Sequence, residues 1–177
     1  MKKTLLVGLA TAMMVMGANA QAAGNEGATV GVSTGIISLG DTPIRTSVTT
    51  LAIGYQFPMA DNVYSEVQAK LGFTGVGSGT VNGSTTEMSA DSLMGAYYKV
   101  GMNPAPKVLV YGLVGYASMK YKVTVSPFTA TATKSGLSYG VGASYEITDS
   151  KHLGIEYVDY PSDSTVSATS ITLSKAF

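Results

Sequence analysis

Successive residues of an extended chain point to opposite faces, so strict two-residue alternation commits a segment to a strand with one apolar face. From Leu137 to Ile147 the apolar set Leu137, Tyr139, Val141, Ala143, Tyr145 and Ile147 alternates with Ser138, Gly140, Gly142, Ser144 and Glu146. From Val63 to Phe73, Val63, Val67, Ala69, Leu71 and Phe73 share a face with Ser65, while Tyr64, Glu66, Gln68, Lys70 and Gly72 share the other. From Thr46 to Phe57, Leu51, Ile53, Tyr55 and Phe57 oppose Thr50, Ala52, Gly54 and Gln56. Three such segments make this an all-β chain, and the Gly, Ser, Thr, Val and Tyr around them are strand and turn formers.

Weaker alternation extends the count to eight strands. Ala28 to Ile37 reads as the first and Asp91 to Met102 as the fourth, with Met94, Ala96, Tyr98 and Val100 on the apolar face and Tyr97 and Lys99 on the other. Val108 to Lys120 is apolar on both faces; Leu109, Tyr111, Leu113 and Ala117 are assigned to its outer set. His152 to Val158 and Ser167 to Phe177 complete the series. The connections alternate in length. Residues 58–62, 103–107 and 148–151 are tight turns bearing proline or Asx residues, whereas 38–45, 74–90, 121–134 and 159–166 are longer polar loops. Alternating short and long connections, with an even strand count, are expected of a barrel whose short turns face the periplasm and whose long loops face outside.

The amino terminus fits this address. Lys2 and Lys3 precede an uncharged apolar run from Thr4 to Met16, and Ala18-Asn19-Ala20 supplies small residues two apart, as a signal peptidase requires. That run is too short to span a bilayer, which needs about 20 residues. Residues 1–20 are therefore expected to be a cleaved export signal and residues 21–177 the barrel. Removing Lys2 and Lys3 leaves nine basic against eleven acidic groups, which gives no footprint for nucleic acid. The chain has no cysteine, so disulfides, thiol chemistry and lipid attachment through a cysteine are excluded.

Alternation alone does not say which face points inward. In a soluble barrel of the lipocalin type the apolar face is inside; in a membrane barrel it meets lipid, and closure pairs every backbone group. Two features favour lipid outside. The polar face is rich in Gly, Ser and Thr, which suits a narrow eight-stranded interior. Tyr55, Tyr98, Tyr111, Tyr145 and Tyr157 recur near strand ends, as an interfacial aromatic belt requires.

Val110-Tyr111-Gly112-Leu113-Val114-Gly115-Tyr116-Ala117, Tyr139-Gly140-Val141-Gly142-Ala143-Ser144-Tyr145-Glu146 with the Thr148-Asp149 turn, and Leu153-Gly154-Ile155-Glu156-Tyr157 resemble the outer-membrane β-barrel family that includes the OmpA transmembrane domain, OmpX-like and opacity-type proteins. The resemblance covers the whole chain after the signal. It implies an eight-stranded antiparallel transmembrane barrel in the bacterial outer membrane, assisted there by periplasmic chaperones and the barrel-assembly machinery. It also implies that terminal Phe177 is an assembly signal. Lys175 departs from the pattern, since members often carry an apolar residue there; a lysine near the interface is expected to snorkel.

Candidate sites follow from this topology. Inward charges Glu66, Lys70, Lys99, Glu146 and Glu156 either form a structural plug of ion pairs or line a pore; the plug is preferred because eight strands leave room only for side chains. Arg45, Lys120, Lys122 and Lys134 fall at or beyond the extracellular rim, where they are either solvated loop charges or contacts for lipopolysaccharide phosphates. The sole histidine, His152, falls at a periplasmic turn, far from the outer leaflet, and no nucleophile–base–orienter set can be assembled at the extracellular rim. Gly75, Gly77 and Gly79 read as a flexible surface loop and Asn82-Gly83-Ser84 as a turn. No cofactor or metal is implied. The expected function is non-enzymatic: envelope integrity, contact with outer-membrane lipid, and surface loops that meet a host or phage ligand in adhesion or resistance. A narrow channel for ions or small apolar molecules is the first alternative, and a lipid A-modifying enzyme the second.

Overall fold

The computed structural model describes residues 26–39, 45–81, 84–125, 128–160 and 166–177. Residues 1–25, which include the expected export signal, and residues 40–44, 82–83, 126–127 and 161–165, on which most of the expected Asn82-Gly83-Ser84 turn falls, lie outside the described residues. The strands are β1 (Gly27–Leu39), β2 (Arg45–Ala60), β3 (Val63–Thr74), β4 (Val76–Val81), β5 (Ser84–Ala105), β6 (Val108–Val125), β7 (Phe128–Thr148), β8 (Lys151–Tyr160) and β9 (Val166–Ala176). Every pairing is antiparallel between neighbours, β1 pairs with β9, and β3 pairs with both β2 and β5. β4 continues the β3 arm past Gly75 and pairs with β5, so the wall is a closed barrel of eight strands.

Closure removes the sheet edge that lipid does not tolerate. The outer face is then free to be apolar: Leu51, Ile53, Val67, Phe73, Met94, Val141, Ile155 and Ile171 all project outward and are exposed, and Leu137 is 74% exposed. On β7 this belt runs from Leu137 to Ile147, about 25 Å along the barrel axis for tilted strands, which matches the hydrocarbon band of an outer-membrane barrel. The three short turns are Asp61-Asn62, Pro106-Lys107 and Asp149-Ser150, each next to a break in register. Lys107 (φ 66°) and Ser150 (φ 74°) adopt left-handed backbone there.

Two expectations are corrected. β6 has the opposite facing: Tyr111, Leu113, Ala117 and Met119 point into the barrel, while Val110, Val114 and Tyr116 face lipid. Tyr111 therefore does not belong to the interfacial belt. The register gives the reason, since Tyr111 lies between Gly101 on β5 and Gly142 on β7. A Cβ at Gly142 would come 2.3 Å from the Tyr111 ring and one at Gly101 would come 2.3 Å from the Tyr64 ring, so the two glycines make room for these tyrosines inside.

The long connections at 74–90 and 121–134 are also largely strand rather than loop. β4 pairs with β5 from Val76↔Ser89 to Val81↔Ser84, β5 with β6 out to Thr86↔Val125, and β6 with β7 out to Val125↔Phe128. Together they form a four-stranded sheet rising beyond the lipid belt, which ends near Met94 on β5 and Tyr116 on β6. Gly75 and Gly77 fit against β2: the Gly75 amide donates to Ser47 O at 2.9 Å, and a Cβ at Gly77 would meet Arg45 O at 2.1 Å. Serine- and threonine-rich composition suggested loops, but alternating β-branched residues pair readily once a strand below sets their register.

Candidate functional site

The inward residues divide the interior into two zones. The periplasmic zone is polar. Glu66 on β3 is 3% exposed and accepts from Lys99 Nζ at 2.8 Å, Thr29 Oγ1 at 2.6 Å and Gln68 Nε2 at 3.1 Å. Lys70, four residues and so two pleat repeats further up β3, pairs with Glu156 on β8, whose second oxygen accepts from the Tyr111 hydroxyl at 3.3 Å. The two lysines also lie over aromatic faces, Lys99 at 4.7 Å from the Tyr111 ring centroid and Lys70 at 5.2 Å from that of Tyr97. Desolvating four charges is expensive, and it is tolerated here because each charge faces an opposite one and further donors complete the carboxylates. Tyr97 continues the network to Ser138 Oγ at 3.2 Å, which itself donates to Asp159 O at 2.6 Å.

These groups surround a cavity of about 50 Å³ that also touches His152, Thr172 and Lys175. Tyr64 Oη, Gln68 Oε1, His152 Nδ1 and Thr172 Oγ1 line it without a protein hydrogen-bond partner. A polar space of that size holds ordered water.

The extracellular zone is apolar. Ile37, Val48, Leu93, Leu113, Met119 and Val158 form a buried cluster with Tyr160 and Val166, and Met119 and Leu93 are 0% and 1% exposed. Packed side chains of this kind exclude water. The bore is therefore closed on its outer half by hydrocarbon and occupied on its periplasmic half by ion pairs.

Of the inward charges singled out in the sequence, Glu66 and Lys99 form one pair and Lys70 and Glu156 the other. Glu146 belongs to neither; it lies half-buried at the periplasmic mouth, in register with His152, and accepts from the Ser150 amide at 3.4 Å. His152 is buried on the inner face, far from the extracellular rim. Lys175 does not snorkel outward. It is 3% exposed and stands 4.4 Å from the Phe177 ring centroid. The Phe177 amide donates to Ala28 O at 2.9 Å, extending the β1–β9 seam.

The rim cations are not one cluster. Lys120 and Lys122 are exposed on one face of β6 and about 7 Å apart. Lys134 pairs in register with inward Met119, so it lies on the opposite face of the projecting sheet. Arg45 begins β2, three strands around the wall. Alternation set Tyr64 and Tyr97 on the inner face, where the structure has them, but missed Tyr111 and the apolar plug, because inward apolar residues leave both faces of β6 apolar. Tyrosine facing glycine on neighbouring strands is the signal that finds Tyr111.

A family model described as the outer membrane protein beta-barrel domain matches residues 8–176. No curated protein sequence matches the chain. Among solved structures, the chain is similar to the attachment invasion locus protein Ail of Yersinia pestis, determined with the heparin analogue sucrose octasulfate, at 14% identity, 85% of this chain, 96% of that chain and a TM-score of 0.57. It is also similar to the N-terminal β-barrel domain of Pseudomonas aeruginosa OprF, at 12% identity, 86% and 100% coverage and a TM-score of 0.58. Neisserial surface protein A gives 12% identity, 85% and 97% coverage and a TM-score of 0.57. At these identities the likeness is one of fold.

Proposed function

We propose a function from one premise: the chain belongs to the outer membrane protein beta-barrel family and resides in the bacterial outer membrane. It acts as a non-enzymatic, sealed barrel that supports envelope integrity and holds a paired sheet outside the membrane as an interaction surface. One observation carries this reading. The apolar plug around Leu93 and Met119 fills the bore, while β4 to β7 continue as a hydrogen-bonded sheet above the lipid belt.

A conducting barrel requires continuous hydrated space, and the polar cavity near Glu66 and Lys99 stops beneath that plug. A lipid-modifying enzyme requires its base near the outer leaflet, whereas His152 lies at the other end of the wall. In this reading Lys120 and Lys122, exposed on one face of β6, meet lipopolysaccharide phosphates just above the belt, with the acids Glu87 and Asp91 of β5 beside them. Ail carries a sulfated ligand in its solved complex, a chemistry close to that of lipid phosphates. The inward ion pairs serve as structural filling, and Phe177 as the residue read during assembly.

The test compares cells lacking the protein, cells producing it, and cells producing a form whose projecting sheet is cut back to turns at residues 76–89 and 121–132. The proposal expects the shortened form to keep the barrier against detergent and to lose binding of surface ligands. Equal detergent sensitivity in all three strains removes the envelope role, and full ligand binding by the shortened form removes the sheet as the interaction surface.

A further inference from the structure

Outside the barrel wall, in its periplasmic half, lies a groove of about 450 Å³ lined by Val63, Val100, Met102, Val110 and Val141, with Gly112 as its floor. In register, Gly112 sits between Val100 on β5 and Val141 on β7, so the valines on both sides stand above a bare backbone. Glycine weakens a strand interior, and its presence there calls for a reason. At Gly35, Gly101, Gly115, Gly140 and Gly142 the reason lies inside the protein, since an added Cβ would come within 2.1–2.3 Å of another atom. At Gly112 it would meet nothing nearer than Gly140 O at 3.9 Å. The protein's own packing does not require this glycine.

We propose that the Gly112 groove holds an acyl chain of one phospholipid of the periplasmic leaflet, with its phosphate drawn to Lys107. The lining is almost wholly apolar, which suits a hydrocarbon chain and offers nothing to a polar ligand. Depth fixes the leaflet: the groove lies next to the short turns, and its closest turn carries Lys107. Lys107 is exposed, residues 103–106 of its turn carry no acid, and Glu146, beside it on β7, forms no ion pair with it among the described residues. Its backbone is pinned by the Glu146 amide, which donates to Lys107 O at 2.8 Å, so the cation is held at a defined level. From Lys107 to Gly112 the strand runs about 17 Å, or about 13 Å in depth for strands tilted by about 40°, which sets Gly112 among the acyl chains below the headgroup level. A cation at the headgroup level adds a preference for anionic lipid.

The experiment is native mass spectrometry of the full chain released from detergent, after mixing with phosphatidylglycerol or with phosphatidylcholine. Gly112→Leu fills the groove, Ala96→Leu adds the same bulk elsewhere on the lipid face, and Lys107→Asn removes the charge while suiting the left-handed backbone. A heat-dependent gel shift first shows that each variant folds. The wild-type chain and Ala96→Leu are expected to retain one lipid, and Gly112→Leu to lose it by tenfold or more. Lys107→Asn is expected to lower the preference for phosphatidylglycerol over phosphatidylcholine by about fivefold. Equal retention by Gly112→Leu and Ala96→Leu overturns the site. Dimers of the wild-type chain that disappear in Gly112→Leu overturn it as well, since a second copy then fills the groove. An unchanged lipid preference in Lys107→Asn overturns the headgroup assignment.

Discussion

Replacing Glu66 by Leu measures how dry the barrel interior is. Glu66 is 3% exposed, and it is the carboxylate to which Lys99, itself 9% exposed, donates at 2.8 Å. If the interior is sealed, removing one member of the pair leaves a buried ammonium with only the Tyr111 ring face and a small enclosed cavity beside it, which costs about 3–5 kcal/mol. That corresponds to an unfolding constant raised by roughly two to nearly four powers of ten. If instead water fills the bore, both groups are screened as at a surface and the cost falls to about 0–1 kcal/mol. Lys99→Met is expected at the lower end of the sealed range, because Thr29 and Gln68 still donate to the carboxylate at 2.6 and 3.1 Å. The double variant removes both charges and is expected to regain most of the loss, as replaced buried pairs do. Urea unfolding in phospholipid bilayers, followed by the gel shift of unheated samples, reads all four proteins. A Glu66→Leu barrel within about 1 kcal/mol of wild type refutes the sealed interior.

Three further outcomes follow from the same geometry. Met119→Ala, at a fully buried position of the plug, is expected to cost about 2–5 kcal/mol in that assay; a cost below 1 kcal/mol means the plug is loosely packed. Lys120→Glu with Lys122→Glu is expected to weaken lipopolysaccharide association, most clearly at low salt. Charge reversal at Arg45 or Lys134, each placed apart from that pair, is expected to do less, and equal effects at all four positions contradict the split patch. Phe177→Ala is expected to reduce insertion in cells while leaving refolding in detergent nearly unchanged, because its backbone bond to Ala28 survives the substitution. Equal losses in both settings assign Phe177 a structural role alone.

What the sequence disclosed depended on which side chains fill the bore. β2, β3 and β7 were legible because Thr50, Gln56, Gln68 and Ser138 keep the inner face polar against Leu51, Val67 and Leu137 outside. β6 was not, because Leu113, Ala117 and Met119 belong to the plug and its two faces are equally apolar. Its facing was nevertheless encoded across strands, in Gly101 and Gly142 flanking Tyr111. The ion partners were harder to read. Glu66 and Lys99 sit opposite each other on neighbouring strands, but Lys70 and Glu156 meet across the bore from β3 and β8. Interior reach of that kind depends on barrel closure and does not appear in any one strand. The projecting sheet was hidden by composition, since threonine and serine serve both loops and exposed strands.

The central claim is that the bore of this outer-membrane barrel is closed in its extracellular half by its own side chains. Single-channel recording of the purified protein in a planar bilayer tests it most directly. The wild-type barrel is expected to give no current steps, whereas Leu93→Ala with Met119→Ala, which hollows the plug, is expected to give them. Stepwise current through the wild-type protein, unchanged in the double variant, would contradict the sealed bore and make conduction the leading function.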